Sequence, residues 1–372
     1  MLKFYKLILF FFSFVNIIKI KFKKIKCANY FIINNNTTIF DQRSSNFFDL
    51  KTCEHSLNLV RIQNLDYKIF FNIFKIPNFF CFFIIKNFSL NKLDKFFFMH
   101  LMRNIFIFLK IKRLLLIDDT REMKFFSTLS KRLNLHSLIY MHGKFSKRSK
   151  IHQNTKFNTY LVWSNFFKRQ LLETNNFYKT NNVIVIGNPN FKKKFSLKKK
   201  KISIKKCLIL DEDYINYNDI KAYLFSIVKI NSIQIFFKKK ISRNIPENIE
   251  LFCKRNKIKI IHNSDNLEKT IRKYKIDSII ASTSTGLLEG IYYGVVPIKF
   301  FSKNMKKENE FKIFLEQDMI YAAKNPKVMR YLLKKKFHYQ SLIKSKKVLW
   351  EGTSFKSVLV KNRIKKFVMN KK

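Results

Sequence analysis

Short apolar runs alternate with longer helical patterns through most of the 372-residue chain, and this alternation constrains the fold more than any other feature. In the first half the clearest run is LLLIDD at 114–119, followed by a helical pattern over 121–134 and a second apolar run, SLIYMHG, at 137–143. The alternation restarts with CLILDED at 207–213 and continues to VVPIKF at 295–300. Strands that alternate with helices in this way predict parallel β-α-β units whose sheets are covered by helices.

A basic stretch, FKKKFSLKKKKISIKK, separates the two series and has little periodicity, which is typical of a solvated linker. We therefore expect an α/β protein with two doubly wound, Rossmann-like parallel-sheet domains that face a cleft. The expected parts, in chain order, are a basic apolar helix, an N-terminal domain, the linker, a C-terminal domain and a basic helical tail, at 1–26, 27–190, 191–206, 207–345 and 346–372.

The amino-terminal segment has an apolar core from Leu7 to Ile18, followed by a basic run from Lys19 to Lys26. The core is shorter than the roughly 20 residues of a membrane-spanning helix, and no small-residue cleavage site of a signal peptide follows it. An interfacial helix on anionic lipid, a spanning helix and an ordinary packed helix all stay open. We expect a cytoplasmic protein with an anionic membrane surface as a partner, peripheral at the inner face of the cell membrane.

The chain carries 75 Lys+Arg against 24 Asp+Glu, a net charge of +51, which suits an anionic membrane or nucleic acid. An AT-rich genome explains much of this excess, because Phe, Lys, Asn and Ile are all enriched while Gly and Pro are scarce. No basic element is interleaved with aromatic residues in the manner of nucleic-acid-binding proteins, so we do not expect nucleic acid as a partner. A basic nucleic-acid-binding protein remains an alternative. The five cysteines are widely spaced, and we expect neither a disulfide framework nor a metal site.

Three of the six glycines fall within SIIASTSTGLLEGIYYGVVPIKF, residues 278–300. Ligands bind at the carboxyl ends of parallel strands, and this strand delivers hydroxyl groups and a glycine to that edge: Ser282, Thr283, Ser284, Thr285 and Gly286. The start of a helix with free N–H groups binds phosphate, and Glu289 on its first turn can accept hydrogen bonds from sugar hydroxyls. The pattern predicts a binding site for a nucleoside diphosphate sugar. Alternatively, the Ser/Thr run only caps the helix and the glycines serve packing.

Three segments resemble one enzyme family. IDSIIASTSTGLLEGIYYGVVPIKF, at 276–300, resembles the carboxyl-domain signature of GT-B glycosyltransferases. LIYMHGKF at 138–145 resembles the strand-His-Gly turn of related surface-polysaccharide enzymes, and 160–191 is similar to the segment that closes their first domain at Gly-Asn-Pro. The resemblance spans roughly residues 110 to 300 and is closest to bacterial enzymes of capsule and lipopolysaccharide assembly.

This resemblance implies a GT-B architecture and a metal-independent glycosyltransferase. The enzyme would move a sugar from a nucleotide-sugar donor to a surface-carbohydrate acceptor, namely a lipid-linked glycan, lipopolysaccharide or capsule, without a cofactor. Glu289 would bind ribose or donor-sugar hydroxyls, and the Ser284–Gly286 turn would bind the diphosphate. Two features depart from the family pattern: Gly290 stands where alanine is common, and the first domain lacks a glycine-rich first turn.

Glycosyl transfer needs a base for the acceptor hydroxyl and stabilisation of the leaving diphosphate. His142 is the first candidate base, because imidazole exchanges protons near neutral pH. Asp118 and Asp119 are the next candidates, although DDTRE could instead cap the following helix. Further residues are expected to line the cleft: Gly143, Lys144, Gly187 and Asn188. A nucleotide-sugar epimerase of the same architecture is the alternative function, and it would need more acidic and histidine residues converging from both domains.

Overall fold

The computed structural model describes two sheets and the helices that cover them. Backbone alone is described for residues 25–33, 38–41, 55–62 and 79–85, and most side chains as well for 111–117, 123–143, 155–188, 191, 201–212, 215–240, 243–262, 266–302 and 311–353, with isolated residues at 103, 106–107, 359 and 362. Most of the predicted amino-terminal helix and most of the predicted tail lie outside these residues. Within the described ranges, no helix has both the length and the apolar character needed to cross a membrane.

The first sheet has the strand order β4-β3-β1-β2-β5-β6-β7-β8. Its described strands are β1 (Ile25–Ile33), β2 (Thr38–Asp41), β3 (His55–Ile62), β4 (Phe79–Ile85), β5 (Arg113–Ile117), β6 (His136–Tyr140), β7 (Thr159–Val162) and β8 (Val183–Val185). Strands β5 to β8 are parallel neighbours. Helix α1 (Met123–Arg132) follows β5 and helix α2 (Asn165–Thr174) follows β7, so this half of the sheet has the predicted β-α-β construction.

The other half of the first sheet is mixed, and it differs from the all-parallel expectation. Strand β1 is antiparallel to both β2 and β3, whereas β3 with β4 and β2 with β5 pair in parallel. The chain between β1 and β2 runs only from 34 to 37. A parallel crossover needs a dozen or more residues. A connection this short can therefore join only antiparallel neighbours.

The second sheet is parallel throughout its described strands, in the order β12-β11-β10-β13-β14-β15. These strands are β10 (Lys206–Leu210), β11 (Gln234–Lys238), β12 (Lys259–Ile261), β13 (Ser278–Ala281), β14 (Val296–Phe300) and β15 (Tyr321–Ala323). The helices of this half are α3 (Tyr217–Val228), α4 (Glu247–Arg255), α5 (Leu267–Tyr274), α6 (Gly286–Tyr293), α7 (Lys312–Glu316), α8 (Pro326–Lys334) and α9 (Tyr339–Leu349). The two-domain parallel-sheet fold class predicted from the sequence is confirmed.

A small antiparallel ladder joins β9 (Lys201–Ile202) to β16 (Phe337–His338). Strand β9 lies in the stretch predicted as a linker, and Ile202 and Ile204 are buried in the core of the second domain. The positively charged run therefore carries apolar residues that anchor its end to that domain. The exact domain boundaries remain predictions.

The two domains share one continuous apolar core at a group of aromatic side chains, here called the aromatic seam: Trp163, Phe191, Tyr292 and Trp350. Phe191 stacks on Tyr292 with ring centroids 3.8 Å apart, and its ring meets Trp350 edge-on at 4.6 Å. Trp350 stacks in turn on Trp163 of the first domain at 5.7 Å. Because all four side chains are buried, their packing ties the two domains together.

The chain after α9 returns to the first domain. Ser164 Oγ donates to the carbonyl of Leu349 at 2.5 Å, and the amide of Asn165 donates to the carbonyl of Glu351 at 2.9 Å. Thr353 Oγ1 completes the attachment by donating to the carbonyl of Trp163 at 2.8 Å. Residues 349–353 therefore pack on the start of α2 and, together with Phe191, connect the two domains.

Candidate functional site

Two sheet edges meet at the candidate site. Parallel pairing places the carboxyl ends of β6, β7 and β8 at one edge of the first sheet, and those of β10, β13 and β14 at one edge of the second. His142 and Gly143 follow β6, and the Ser282–Thr285 turn follows β13. The sequence reasoning expected these residues at such edges, because ligands of open parallel sheets bind there.

Gly143 of the first edge lies against Thr285 of the second. A methyl group added at Gly143 would lie 2.9 Å from Cγ2 of Thr285, which is closer than two carbon atoms normally pack. The half-buried His142 precedes this contact point directly. The structure therefore brings the His-Gly turn of the first domain against the start of α6 in the second.

Glu212, at the end of β10, holds the first part of the Ser/Thr turn. Its carboxylate accepts hydrogen bonds from the amide of Ser282 at 2.5 Å and from the amide of Thr283 at 2.6 Å. The hydroxyl of Thr283 donates to the same carboxylate. These two amides are therefore engaged within the protein, so anion binding falls to the residues that follow.

The second part of the turn has free amides. Among the described residues, the backbone N–H groups of Ser284 and Thr285 meet no hydrogen-bond acceptor, while the amide of Gly286 donates to Ser284 Oγ at 3.1 Å. Both Ser284 and Thr285 are half-buried. Free amides at the start of a helix attract anions, because the helix dipole adds partial positive charge there.

Glu289 lies on the first turn of α6 and is half-buried. Burial of its carboxyl group raises the pKa of Glu289 to about 7, so the group exchanges its proton near neutral pH. Its side chain takes part in no hydrogen bond or ion pair with the described part of the chain. A carboxyl group in this state can both donate and accept hydrogen bonds, as recognition of hydroxyl groups requires.

Charged groups also fill the remainder of this edge. Asp211 is buried beside Arg243, with 2.8 Å between Oδ1 and Nη1, and Tyr217 donates to Asp211 Oδ2 at 3.1 Å. Burial raises the pKa of Asp211, and the Lys240 amide and the Arg243 guanidinium oppose that rise.

Lys299 enters the same edge from β14. Its side chain is fully buried, and its Nζ donates to the carbonyl of Ser282 at 2.5 Å. Sequence reasoning missed Lys299 and Glu212. The available signals were a lysine inside the apolar strand VVPIKF and the paired acids at the end of CLILDED.

Within the described residues, a hydrogen-bonded chain of uncharged groups supports the edge of the first domain. Trp163 Nε1 donates to the hydroxyl of Tyr140 at 2.7 Å, and that hydroxyl donates to the carbonyl of Gly187 at 3.3 Å. Gly187 has a φ of 94°, which favours glycine, and the neighbouring Asn188 is buried. Gly187 and Asn188 therefore lie at the same sheet edge as His142.

The glycines of the 278–300 segment all have packing roles. A methyl group at Gly286 would lie 2.6 Å from Leu210 Cδ1, and one at Gly290 would lie 2.9 Å from Ile279 Cδ1. Gly294 ends α6 with a φ of 71°. The structure thus supports the packing interpretation of these glycines without removing the free amides beside them.

Three predicted site residues, Asp118, Asp119 and Lys144, lie outside the described residues. In the part of the chain that is described, no group of three or more His, Cys, Asp and Glu side chains could hold a metal ion. The described site consequently consists of His142 and Gly143 on one side and the Ser284–Glu289 segment on the other.

No model of a known protein family matches the chain, and no curated protein matches it. Solved structures do match its fold. UDP-GlcNAc 2-epimerase from Neisseria meningitidis, bound to UDP-GlcNAc, is similar with 10% identity and a TM-score of 0.50, over 79% of this chain and 93% of that one. This chain has a GT-B-like fold. The MnaA–UDP structure from S. aureus is similar with 11% identity and a TM-score of 0.50, over 78% and 89% of the two chains.

Glycosyltransferases are also among the matching structures. A glycosyltransferase from Rickettsia africae has 15% identity and a TM-score of 0.43, over 78% of this chain and 86% of that one. The two matches with a TM-score of 0.50, at 10% and 11% identity, establish the GT-B-like fold alone.

Proposed function

We propose that this protein is a glycosyltransferase that binds a nucleotide sugar between its two domains and transfers the sugar to a surface carbohydrate. The observation that carries the proposal is the contact between Gly143 and Thr285. It brings a histidine turn of one domain against the free amides of Ser284 and Thr285 in the other. A bound donor would then meet groups suited to phosphate on one side and a candidate base on the other.

The diphosphate of the donor would bind the amides of Ser284 and Thr285 at the start of α6. The helix dipole and the hydroxyls of these residues favour an anion there. Glu289, four residues after Thr285, would bind hydroxyl groups of the ribose or the donor sugar. Its pKa of about 7 suits this role because the neutral form donates a hydrogen bond and the ionised form accepts one.

Transfer breaks the bond between the anomeric carbon and the diphosphate oxygen, forms a bond to the acceptor oxygen and releases a proton. His142 is the proposed base for that proton, and the amides of the turn would stabilise the negative charge on the leaving diphosphate. Asp118 and Asp119 remain candidate bases, and Lys144, Gly187 and Asn188 remain candidate cleft residues. This scheme uses a metal-independent route and no cofactor.

The acceptor would be a lipid-linked glycan, lipopolysaccharide or capsule, as the resemblance of the 138–145 and 160–191 segments implies. A net charge of +51 would draw the protein to the anionic inner face of the cell membrane, where lipid-linked acceptors lie. Vesicle flotation tests this part. Binding to anionic vesicles but not to neutral ones supports a peripheral location, and equal recovery from both contradicts it.

Epimerisation of a nucleotide sugar is the second candidate, because a structure of a UDP-GlcNAc 2-epimerase has the same fold over 79% of this chain. Such a reaction removes and returns a proton on the sugar, which calls for acid and base groups on both sides of the ring. In the described part of the site, His142 and Glu289 are the acid and base candidates, because the carboxylates of Asp211 and Glu212 at the same edge are engaged in hydrogen bonds within the protein. Glycosyl transfer is therefore the function that the geometry favours.

The test is incubation with radiolabelled UDP-, CDP- and GDP-sugars. Transfer releases the nucleoside diphosphate and moves the label to acceptor or water, whereas epimerisation keeps the label on a nucleotide whose sugar has changed configuration. Glu289→Ala should lower turnover about 100-fold or more, through the loss of charge-assisted hydrogen bonds to the donor. Glu247→Ala, on the exposed start of α4, should leave turnover unchanged. Binding of short DNA at physiological salt, without binding of any nucleotide sugar, would overturn the proposal.

A further inference from the structure

One peptide unit in the Ser/Thr turn is held at both of its polar ends by ions. The carbonyl of Ser282 accepts a hydrogen bond from Lys299 Nζ at 2.5 Å. The amide of Thr283, which belongs to the same peptide unit, donates to Glu212 Oε2 at 2.6 Å. The cation and the anion come from different strands, β14 and the end of β10, and they hold the turn that follows β13.

Lys299 carries its ammonium group in a fully buried position, which needs an explanation. The side chain is fully buried within β14, and its ammonium lies 4.9 Å from the ring centre of Phe301 and 5.2 Å from that of Phe311. A buried ammonium loses its hydration and is tolerated only with compensating partners. An apolar side chain would fill this position between two aromatic rings without that cost, so packing alone does not account for a lysine.

The two ions fix the direction in which the peptide faces. If the peptide between Ser282 and Thr283 turned over, its carbonyl would face the Glu212 carboxylate and its amide would face the Lys299 ammonium. Both arrangements are repulsive, and each ion would lose the hydrogen bond that it makes to this peptide. The observed orientation is therefore strongly preferred, and it sets the path of the chain into the free amides of Ser284 and Thr285.

We infer that Glu212 and Lys299 are positioning residues that hold the Ser282–Thr283 peptide so that the next two amides can bind the diphosphate of the donor. The inference rests on the proposed function for its ligand and assigns the two residues no contact with that ligand. It extends the site to the ends of β10 and β14. Hydrogen-bond donors that are already fixed bind an anion without a further loss of conformational entropy.

A competing interpretation makes the opposite prediction. If the Glu212 carboxylate occupied the phosphate position itself, it would have to leave before a nucleotide could bind. Removing its charge would then strengthen nucleotide binding. Under the positioning inference, removing the charge weakens nucleotide binding, so the direction of the effect separates the two.

The first arm of the test needs no nucleotide. Hydrogen exchange is measured by mass spectrometry on the full chain for Glu212→Gln and Lys299→Met, with Glu247→Gln and Lys327→Met as exposed controls of the same chemistry. We expect exchange in peptides covering 282–286 to rise about tenfold or more in the two site variants, since each loses a charge-assisted hydrogen bond. Exchange in β11, outside the turn, should stay unchanged. Unaltered exchange at 282–286 in both site variants would overturn the inference.

The second arm measures binding of UDP and of uncharged uridine to the same four variants. We expect UDP affinity to fall about tenfold in each site variant and uridine affinity to change less than about twofold, because only the diphosphate uses the turn. Equal losses for both probes would indicate a general structural role and overturn the inference, as would tighter UDP binding by Glu212→Gln. Failure of the wild-type protein to bind any nucleoside diphosphate would count against the proposed function. The hydrogen-exchange experiment would still test whether Glu212 and Lys299 hold the turn.

Discussion

The two sheet edges that meet at Gly143 and Thr285 are held by different chemistry. In the second domain, buried ions organise the edge: Glu212 and Lys299 hold one peptide, and Asp211 pairs with Arg243. In the first domain, the hydroxyl of Tyr140 links the indole of Trp163 to the carbonyl of Gly187, without any charge.

This difference matches a division of labour in the proposed function. A turn that receives a diphosphate must keep its amides fixed against a strong negative charge, and ionic hydrogen bonds are roughly twice as strong as neutral ones. The opposite edge presents a histidine to an uncharged hydroxyl group and needs only a firm, neutral support. Under the proposed function, ionic contacts hold the donor side and neutral hydrogen bonds hold the described part of the opposite side. Each of the following variants tests one part of this comparison.

The largest stability effect is expected for Arg243→Ala. This change leaves the fully buried Asp211 carboxylate without its ion pair, and breaking a buried pair costs about 3–5 kcal/mol in the free energy of unfolding. Urea denaturation measures the loss. The matched control is Arg169→Ala, whose partner Glu351 is exposed on the first domain, and there the expected loss is under about 1 kcal/mol. Similar losses of stability for the two variants would show that the buried ion pair at the edge of the second domain contributes no more than an exposed pair.

A smaller loss is expected for Tyr140→Phe in the first domain. The variant keeps the buried ring but removes the hydroxyl, so Trp163 Nε1 loses its acceptor and the carbonyl of Gly187 loses its donor. We expect the free energy of unfolding to fall by about 1–3 kcal/mol. Tyr331→Phe, on an exposed side chain of α8, provides the control and should change stability little. An unchanged value for Tyr140→Phe would show that the hydroxyl does not support this edge.

Glu289 should make stability depend on pH in a defined direction. Because burial raises the pKa of its carboxyl to about 7, the folded state holds a proton that the unfolded state has already released. The contribution of Glu289 to the free energy of unfolding is therefore fully present below the pKa of the unfolded state. It is lost as pH rises from about 4.5 to about 7. Replacement by Gln removes this loss.

The measurement compares the free energy of unfolding of Glu289→Gln and wild type at pH 5 and pH 8. Going from pH 5 to pH 8, the free energy of unfolding of the variant should rise relative to that of wild type by on the order of 1–2 kcal/mol. The exposed Glu247→Gln provides the control and should show no such gain. A relative gain towards acid pH would show that the sign assigned to the carboxyl is wrong.

The smallest effect concerns the contact between the edges. Gly143→Ala adds a methyl group 2.9 Å from Thr285 Cγ2, and we expect it to cost about 1 kcal/mol of stability. Thr285→Ser removes that Cγ2, so the double variant should recover most of the cost, as a double-mutant cycle would reveal. Purely additive effects would mean that the two turns do not touch in solution.

The sequence predicted the architecture because parallel β-α-β units leave a strong local pattern. The runs LLLIDD, CLILDED and VVPIKF all become strands, and the parallel pairing expected of β-α-β units predicts that the strands of each sheet end at the same edge. Strands β2, β4, β9, β15 and β16 were not predicted. The β4 stretch FFCFFII lies in a phenylalanine-rich region where the compositional bias hides any period of two.

The residues of the site were harder to predict, since their roles depend on contacts distant in sequence. Glu212 acts on a turn about 70 residues later, and Gly143 meets Thr285 in the other domain. No local pattern encodes such contacts. A lysine within a buried strand was a visible anomaly, but the surplus of lysine in this chain made Lys299 look ordinary.

The most direct test of the central claim uses the scarcity of glycine. Selective labelling with ¹⁵N-glycine gives a spectrum of six amide signals, one for each glycine in the chain, and single Gly→Ala variants assign them. On titration with UDP, the account predicts that the signals of Gly286 and Gly143 shift most, while that of Gly352, beside Asn165 at the start of α2, stays in place. Saturating UDP with no movement of the Gly286 signal, or no response to any nucleoside diphosphate, would contradict it.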